Sequence, residues 1–362
     1  MIWECPAFQY KGPAGTSGPD ARPEARREAR TEGERVLPEV AAWSARRTST
    51  AEDWPPRPLL AAKGDARISV VLPARDEEAT VGAIVAAIRT DLVERIPLVD
   101  EIVVVDSRSA DRTAAVAAAA GADVVAQDSV LPGRGRMSGK GEALWKSLAA
   151  TSGDLIVFID ADLREFSSSY VTGLLGPLLT DPSVGYVKGC YDRPLVDGER
   201  RVEGGGGRVT ELVARPLINL HWPRLAGVMQ PLGGEYAGRR ALLERLPFVT
   251  GYGVELGLLL DVYQDSGLDA IAQVDLGRRV HAHQSTEALG AMSGQIMLTA
   301  WSRLERHGRM MPLEAPATAL TRFRRGPDGY DAATTDVAVG ERPPMIEVPE
   351  YAAARSISPG RR

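Results

Sequence analysis

Two carboxylates two positions apart, Asp160 and Asp162, close the apolar run Leu155-Ile156-Val157-Phe158-Ile159. An Asp-x-Asp where a buried strand stops is a place to hold a divalent cation over a nucleotide diphosphate. A hard cation takes oxygen ligands and neutralises charge on a departing diphosphate. The same tripeptide also fits a solvated acidic turn, so its meaning depends on its neighbours. Upstream, Gly135-Arg136-Met137-Ser138-Gly139-Lys140-Gly141 sets a glycine-flanked lysine before a helical pattern, where it can meet a phosphate or a base edge. The spacing is one residue short of a P-loop and has Gly where Ser or Thr must reach magnesium; no G-x-G-x-x-G follows the first strand. ATPase, kinase and dehydrogenase chemistry are disfavoured on those grounds. Downstream, glycines at 204–207 precede Arg208-Val209-Thr210-Glu211, and a glycine-rich loop opening a helix offers free N–H groups, a guanidinium and a hydroxyl to a phosphate or carboxylate. Glu255, in Gly251-Tyr252-Gly253-Val254-Glu255, opens another helix, and its carboxylate suits sugar hydroxyls.

These residues need a scaffold that brings loops together. Ile68 to Leu72 is a β-branched run followed by Pro73-Ala74-Arg75-Asp76-Glu77-Glu78 and an amphipathic pattern from about Ala79 to Ile96. Glu101 to Val105 is a second strand ending in Asp106-Ser107, with an alanine-rich helix from Thr113 to Ala120 for which Ser109 is a candidate N-cap. Asp123 to Ala126, the glycine-rich stretch from Leu131 to Gly141, the helix Glu142 to Ala150 and the Asp160 strand follow. Successive βα repeats predict an α/β fold with a mostly parallel sheet and functional loops at the carboxyl ends of its strands.

The chain has 362 residues, 44% of them hydrophobic, and a net charge of -5. That is enough for one large core and runs against a general nucleic-acid binder. Cys5 and Cys190 have no metal-like spacing, and no apolar stretch approaches a membrane span or a signal peptide, so a reducing cytoplasm is expected. The composition predicts a disordered leader over 1–62, a catalytic domain over 63–310 and an extended or disordered tail over 311–362. Within the domain, a donor half is expected at about 66–165 and an acceptor half at about 166–310. The apolar helix from Leu289 to Leu304 is a candidate face for a twin subunit.

The blocks from Pro73 to Glu78, Asp106-Ser107, Gly139-Lys140-Gly141-Glu142-Ala143-Leu144-Trp145, Asp160-Ala161-Asp162, Gly207 to Leu212, Pro231-Leu232-Gly233-Gly234-Glu235-Tyr236 and Gly251 to Glu255 together resemble the glucosyl-3-phosphoglycerate synthases of actinobacteria, over about Ile68 to Arg306. The resemblance implies a retaining GT-A (GT81-type) glycosyltransferase that moves glucose from UDP-glucose to the 2-hydroxyl of D-3-phosphoglycerate, with Mg2+ or Mn2+, as a homodimer. It implies donor contacts at Pro73, Ala74, Arg75, Asp76, Glu77, Ser107, Lys140, Asp160, Ala161, Tyr252, Gly253, Val254, Glu255 and Arg279. Acceptor contacts are implied at Gly207, Arg208, Val209, Thr210 and His283, metal ligands at Asp162 and His281, and catalytic roles for Asp162, Lys140 and Glu255. The chain departs from the family pattern at Ala161, where Ser is common, at His283, where Asn is common, and at Gln284, where Arg is common. Two other readings follow from the same residues: a mannosyl-3-phosphoglycerate synthase using GDP-mannose, and a protein that binds nucleotide-sugars without turnover.

Overall fold

The computed structural model describes residues 36–192, 195–197, 200–202, 207–279, 285–327 and 329–356. Its strands are β1 (Thr48–Thr50), β2 (Ile68–Ala74), β3 (Glu101–Asp106), β4 (Asp123–Ala126), β5 (Leu155–Phe158), β6 (Tyr186–Asp192), β7 (Leu195–Asp197), β8 (Arg200–Val202), β9 (Tyr236–Arg239), β10 (Phe248–Val249), β11 (Ile271–Arg278), β12 (Ala319–Gly326), β13 (Gly329–Asp336) and β14 (Glu341–Arg342). Eight of them form one sheet in the order β1-β11-β6-β9-β5-β2-β3-β4. All neighbours in it run parallel except β9, which is antiparallel to both β5 and β6. The strand order reverses beside β2, whose register sets Ala74 opposite Asp106 on one side and Val71 opposite Phe158 on the other. The loops after β2, β3 and β5 therefore open at one edge, the location where α/β sheets hold ligands.

Period-two alternation splits the strands between two cores. Val71, Val103, Ile156 and Phe158 face the helices Lys140–Ala150, Val254–Ser266 and Thr286–Arg306. Val70, Leu72, Val104 and Val157 face Val81–Arg89, Thr113–Ala119 and Ser169–Thr180. Both faces are covered, which is why these strands read as continuous apolar runs.

The expected disordered leader does not extend to residue 62. Helix Pro38–Arg47 buries Val40 and Trp43, β1 pairs with the β11 edge, and helix Pro56–Lys63 buries Leu59. Trp43 donates its indole N–H to the Ile271 carbonyl at 2.9 Å, and burying such a ring contributes about 2–3 kcal/mol. A few apolar anchors in charged sequence hold this segment, so average composition conceals it. The tail is corrected likewise. β14 pairs with β10, Met345, Val348 and Tyr351 enter the core, and helix Pro349–Ser356 follows. Ser109 is not the N-cap expected: Asp111 accepts from the Thr113 N–H at 2.9 Å, while the Ser109 hydroxyl accepts from the Asp76 N–H at 3.0 Å. Helix Thr286–Arg306 turns Ile296, Ala300 and Leu304 into the core and leaves Met297 exposed. Among the described residues, no helix is long and apolar enough to cross a membrane.

Candidate active site

A cleft of about 580 Å³ opens at the carboxyl edge of the sheet. The end of β2 and the loop after it supply Pro73, Ala74, Arg75 and Glu77, the loop after β3 supplies Ser107, and the turn after β5 supplies Asp160, Ala161 and Asp162. The Ser107 N–H donates to the Ala74 carbonyl at 2.8 Å, joining two of these loops. The Thr80 hydroxyl donates to the Ala161 carbonyl at 2.6 Å and ties the Asp-x-Asp turn to the helix after β2. Ile159 donates to Val71 at 3.0 Å, so the sheet ladder continues up to the turn.

Charges dominate the floor. Lys140 is ion-paired to Asp160 and, at 2.8 Å, to Glu255. One Nη of Arg279 lies 3.0 Å from both Asp160 and Asp162. Its other Nη lies 2.9 Å from Glu235 and donates to the Tyr191 hydroxyl at 2.8 Å. Burial alone would raise the Asp160 pKa, but Lys140 and Arg279 overcome it and hold the carboxyl below the usual range. Burial would likewise strip Lys140 of its proton, and Asp160 and Glu255 keep it charged. Asp162 differs: its side chain is 48% exposed. Glu77 is pushed up to about 7, first by burial and then by the Asp162 charge.

The facing wall carries Gly207, Arg208, Val209 and Thr210, at the start of a helix that continues with a π-wound segment Thr210–Ala214 and then Arg215–His221. Gly207 has a φ of 74°, a left-handed conformation that favours glycine, and its carbonyl accepts from Glu211 at 3.0 Å. Tyr252 and Glu255 also line the cleft.

Of the sequence-derived site residues, Asp76, Gly253 and Val254 do not line the cleft. Asp76 sits at φ 56° and accepts from the Ala110 N–H at 2.7 Å, so it braces the loop. Val254 is in the core, and a Cβ on Gly253 would meet Thr299 Oγ1 at 1.9 Å. His281 and His283 lie outside the described residues, as do Gln284 and the glycines at 204–206. Among the described residues, no three His, Cys, Asp or Glu gather into a metal cage.

Sequence reasoning missed Arg108, Gln127, Leu232, Gly234, Gln295 and Ile296, which also line the cleft. Gln127 accepts from the Ser107 hydroxyl at 2.8 Å and donates to the Met137 carbonyl at 3.3 Å, linking the β3 and β4 ends to the glycine-rich loop. Its place just after β4 was the available signal. Gly234 leaves room for Asp160, since a Cβ there would fall 2.2 Å from Oδ2. Gln295 and Ile296 come from a helix remote in sequence, and nothing local marks them.

A switch-point cleft with an acidic turn, a paired lysine and an opposing helix start defines a glycosyltransferase, and residues 69–240 match the glycosyl transferase family 2 model. The glucosyl-3-phosphoglycerate synthase of Petrotoga mobilis is 43% identical over 80% of this chain and 89% of its own length. The chain belongs to the glucosyl-3-phosphoglycerate synthase family. The crystal structure of that enzyme from Mycobacterium tuberculosis, in complex with Mn2+, uridine diphosphate and phosphoglyceric acid, aligns with a TM-score of 0.71 at 47% identity. It covers 81% of this chain and 94% of that one. The mannosyl-3-phosphoglycerate synthase of Rubrobacter xylanophilus aligns with a TM-score of 0.79 at 41% identity, covering 85% and 99% of the two chains.

Proposed function

We propose that this chain transfers glucose from UDP-glucose to the 2-hydroxyl of D-3-phosphoglycerate with retention at the anomeric carbon, releasing UDP. The observation that carries this reading is the single cleft joining the Asp160–Asp162 turn and Lys140 on one wall to the Arg208 helix start on the other. The first wall suits a nucleotide diphosphate and the second a doubly anionic acid. Family membership, and the ligands in the Mycobacterium tuberculosis complex, support the same assignment.

Glu77 and Ser107 take the uridine end, at the β2 and β3 ends. Glu255 accepts bonds from sugar hydroxyls while Lys140 fixes its carboxylate. Because Lys140 pairs with both Asp160 and Glu255, neither is a free nucleophile, which favours same-face substitution over a covalent sugar–enzyme species. The acceptor hydroxyl then forms the new bond to the oxocarbenium-like carbon as the bond to the diphosphate breaks. Its proton passes to the leaving diphosphate, whose charge Lys140 and Arg279 stabilise.

The donor set fits a divalent cation. Asp162 is a half-exposed hard oxygen ligand, and Mg2+ or Mn2+ is commonly held by one or two carboxylates plus substrate phosphates rather than by an all-protein cage. His281 is the second ligand proposed, and its nitrogen suits Mn2+ better than Mg2+. A cation there neutralises the diphosphate as it departs. His283 is proposed beside the acceptor. The reading includes a cytoplasmic homodimer that binds neither nucleic acid nor membrane. The net charge of -5 agrees with the former exclusion.

Proton NMR of the product tests the assignment: an α-glucosyl linkage on carbon 2 of the phosphoglycerate is expected, and a β linkage overturns retention. The alignment with the mannosyl enzyme favours one second reading, GDP-mannose as donor.

A further inference from the structure

Lys188, on β6, is buried, with 1% exposure, and no step of the proposed transfer uses it. Its ammonium donates to the Gly233 carbonyl at 2.5 Å and lies 4.8 Å from the centre of the Tyr236 ring, its partner across the β6–β9 register. Among the described residues it has no direct ion pair; Glu255, Glu235 and Asp160 act on its charge from farther away. Burial pulls its pKa down to about 8, with Lys140 adding to the fall and the carboxylates opposing it. A buried ammonium with a carbonyl for its partner is a costly way to fill the space between two strands. A thioether of similar length would do it more cheaply.

The place where that charge is spent explains it. Gly233 precedes Gly234, which packs so closely on Asp160 that a Cβ would fall 2.2 Å from its carboxylate. Leu232 and Gly234 both line the cleft. The loop from Pro231 to Glu235 is also held where the Gly189 N–H donates to the Glu235 carbonyl at 2.8 Å and where Arg279 meets the Glu235 carboxylate at 2.9 Å. The Gly233 N–H donates to the nearby Gln230 carbonyl at 3.0 Å, so the bond from Lys188 is what ties the Gly233 carbonyl to β6.

We propose that Lys188 is a positioning residue for sugar transfer: by holding the Gly233 carbonyl it seats Gly234 against Asp160 and so keeps the Lys140–Asp160–Arg279 charges in register with the acceptor wall. The inference rests on the glycosyltransferase reading above. It acts on the transfer step, since the uridine contacts at Glu77 and Ser107 lie on other loops.

The test is Lys188→Met, with Gly234→Ala as a second variant that disturbs the same seat from the other side. Thermal unfolding, UDP affinity by calorimetry with Mn2+ and steady-state kinetics are measured for each. Lys188→Met is expected to fold with a midpoint at or above that of the wild type and to bind UDP within threefold of it. Its kcat is expected to fall tenfold or more at a nearly constant KM for UDP-glucose, with Gly234→Ala showing the same split. A kcat within tenfold of wild type in folded Lys188→Met overturns the inference, and so does a parallel loss of kcat and UDP affinity. If Lys188→Met does not fold, Gly234→Ala alone decides by the same criteria. Absence of glucosylated product from the wild type would instead count against the reading of function, and Lys188 would then be judged by UDP release from UDP-glucose without acceptor.

Discussion

Arg342, from the C-terminal segment, meets Glu142 in a two-point ion pair with both contacts at 2.7 Å, across 200 residues of chain. The same guanidinium donates to the Arg134 and Gly135 carbonyls at 2.7 and 3.1 Å and lies 5.0 Å from the Trp145 ring, while the Trp145 indole donates to the Pro343 carbonyl at 2.8 Å. The tail thereby fastens the glycine-rich loop that delivers Lys140. Arg342→Ala should cost about 3 kcal/mol, since it takes a two-point partner from the buried Glu142 carboxylate and leaves it only the looser pair with Lys146, 3.5 Å away. Urea denaturation reads the stability loss, and a raised KM for UDP-glucose should accompany it. An unchanged KM would mean that the loop holds its shape without the tail.

Asp162 is the exposed member of the acidic pair, so its removal should spare the fold and abolish metal-dependent turnover. For Asp162→Ala we expect a thermal midpoint within about 2 °C of wild type and a kcat lower by at least about a hundredfold, the scale of a lost electrostatic stabiliser. Turnover that still responds to Mn2+ in that variant would remove Asp162 from the metal site.

Lys140 separates two carboxylates that would otherwise repel each other. Lys140→Met leaves Asp160 with Arg279 but deprives Glu255 of its ion pair, so both kcat and stability should fall. Urea unfolding and steady-state kinetics check this, and unchanged stability together with unchanged kcat would contradict it.

Glu77, with a pKa near 7, gives donor binding a pH dependence. Only the ionised carboxylate accepts bonds from ribose hydroxyls or a base N–H without surrendering an acceptor, so UDP affinity should rise with pH. In metal-free buffer the dissociation constant should fall about tenfold from pH 6 to pH 8, because one proton must leave. The stability contribution has the opposite sign. A carboxyl whose pKa is raised on folding favours the native state below its unfolded value of 4.5 and loses that contribution as pH climbs through 7. Isothermal titration across this range, with Glu77→Gln as the flat control, decides it.

The donor half of the site was legible in the sequence because βα repeats place strand ends predictably: Pro73 stands at the end of β2, Ser107 and Asp160 follow β3 and β5, and all line one cleft. Asp76 misled for a local reason, since its side chain turns back to the Ala110 N–H. Residues that act from the core left no such mark. Lys188 stands in a strand like any half-polar position, and Glu235 becomes informative only once Arg279, 44 residues away, is seen against it. The ordered segments Pro38–Lys63 and Glu341–Ser356 escaped because single anchors such as Trp43 and Arg342 hold them, with no periodic pattern to read.

The most direct test of the account is a competition assay. Purified protein is given 3-phosphoglycerate, Mn2+ and equimolar UDP-glucose and GDP-mannose, and the released nucleotide and hexosyl product are resolved by mass spectrometry. The account predicts glucosyl-3-phosphoglycerate with stoichiometric UDP and little GDP. GDP release with a mannosyl product, or no hexosylated acid despite bound UDP, would contradict it.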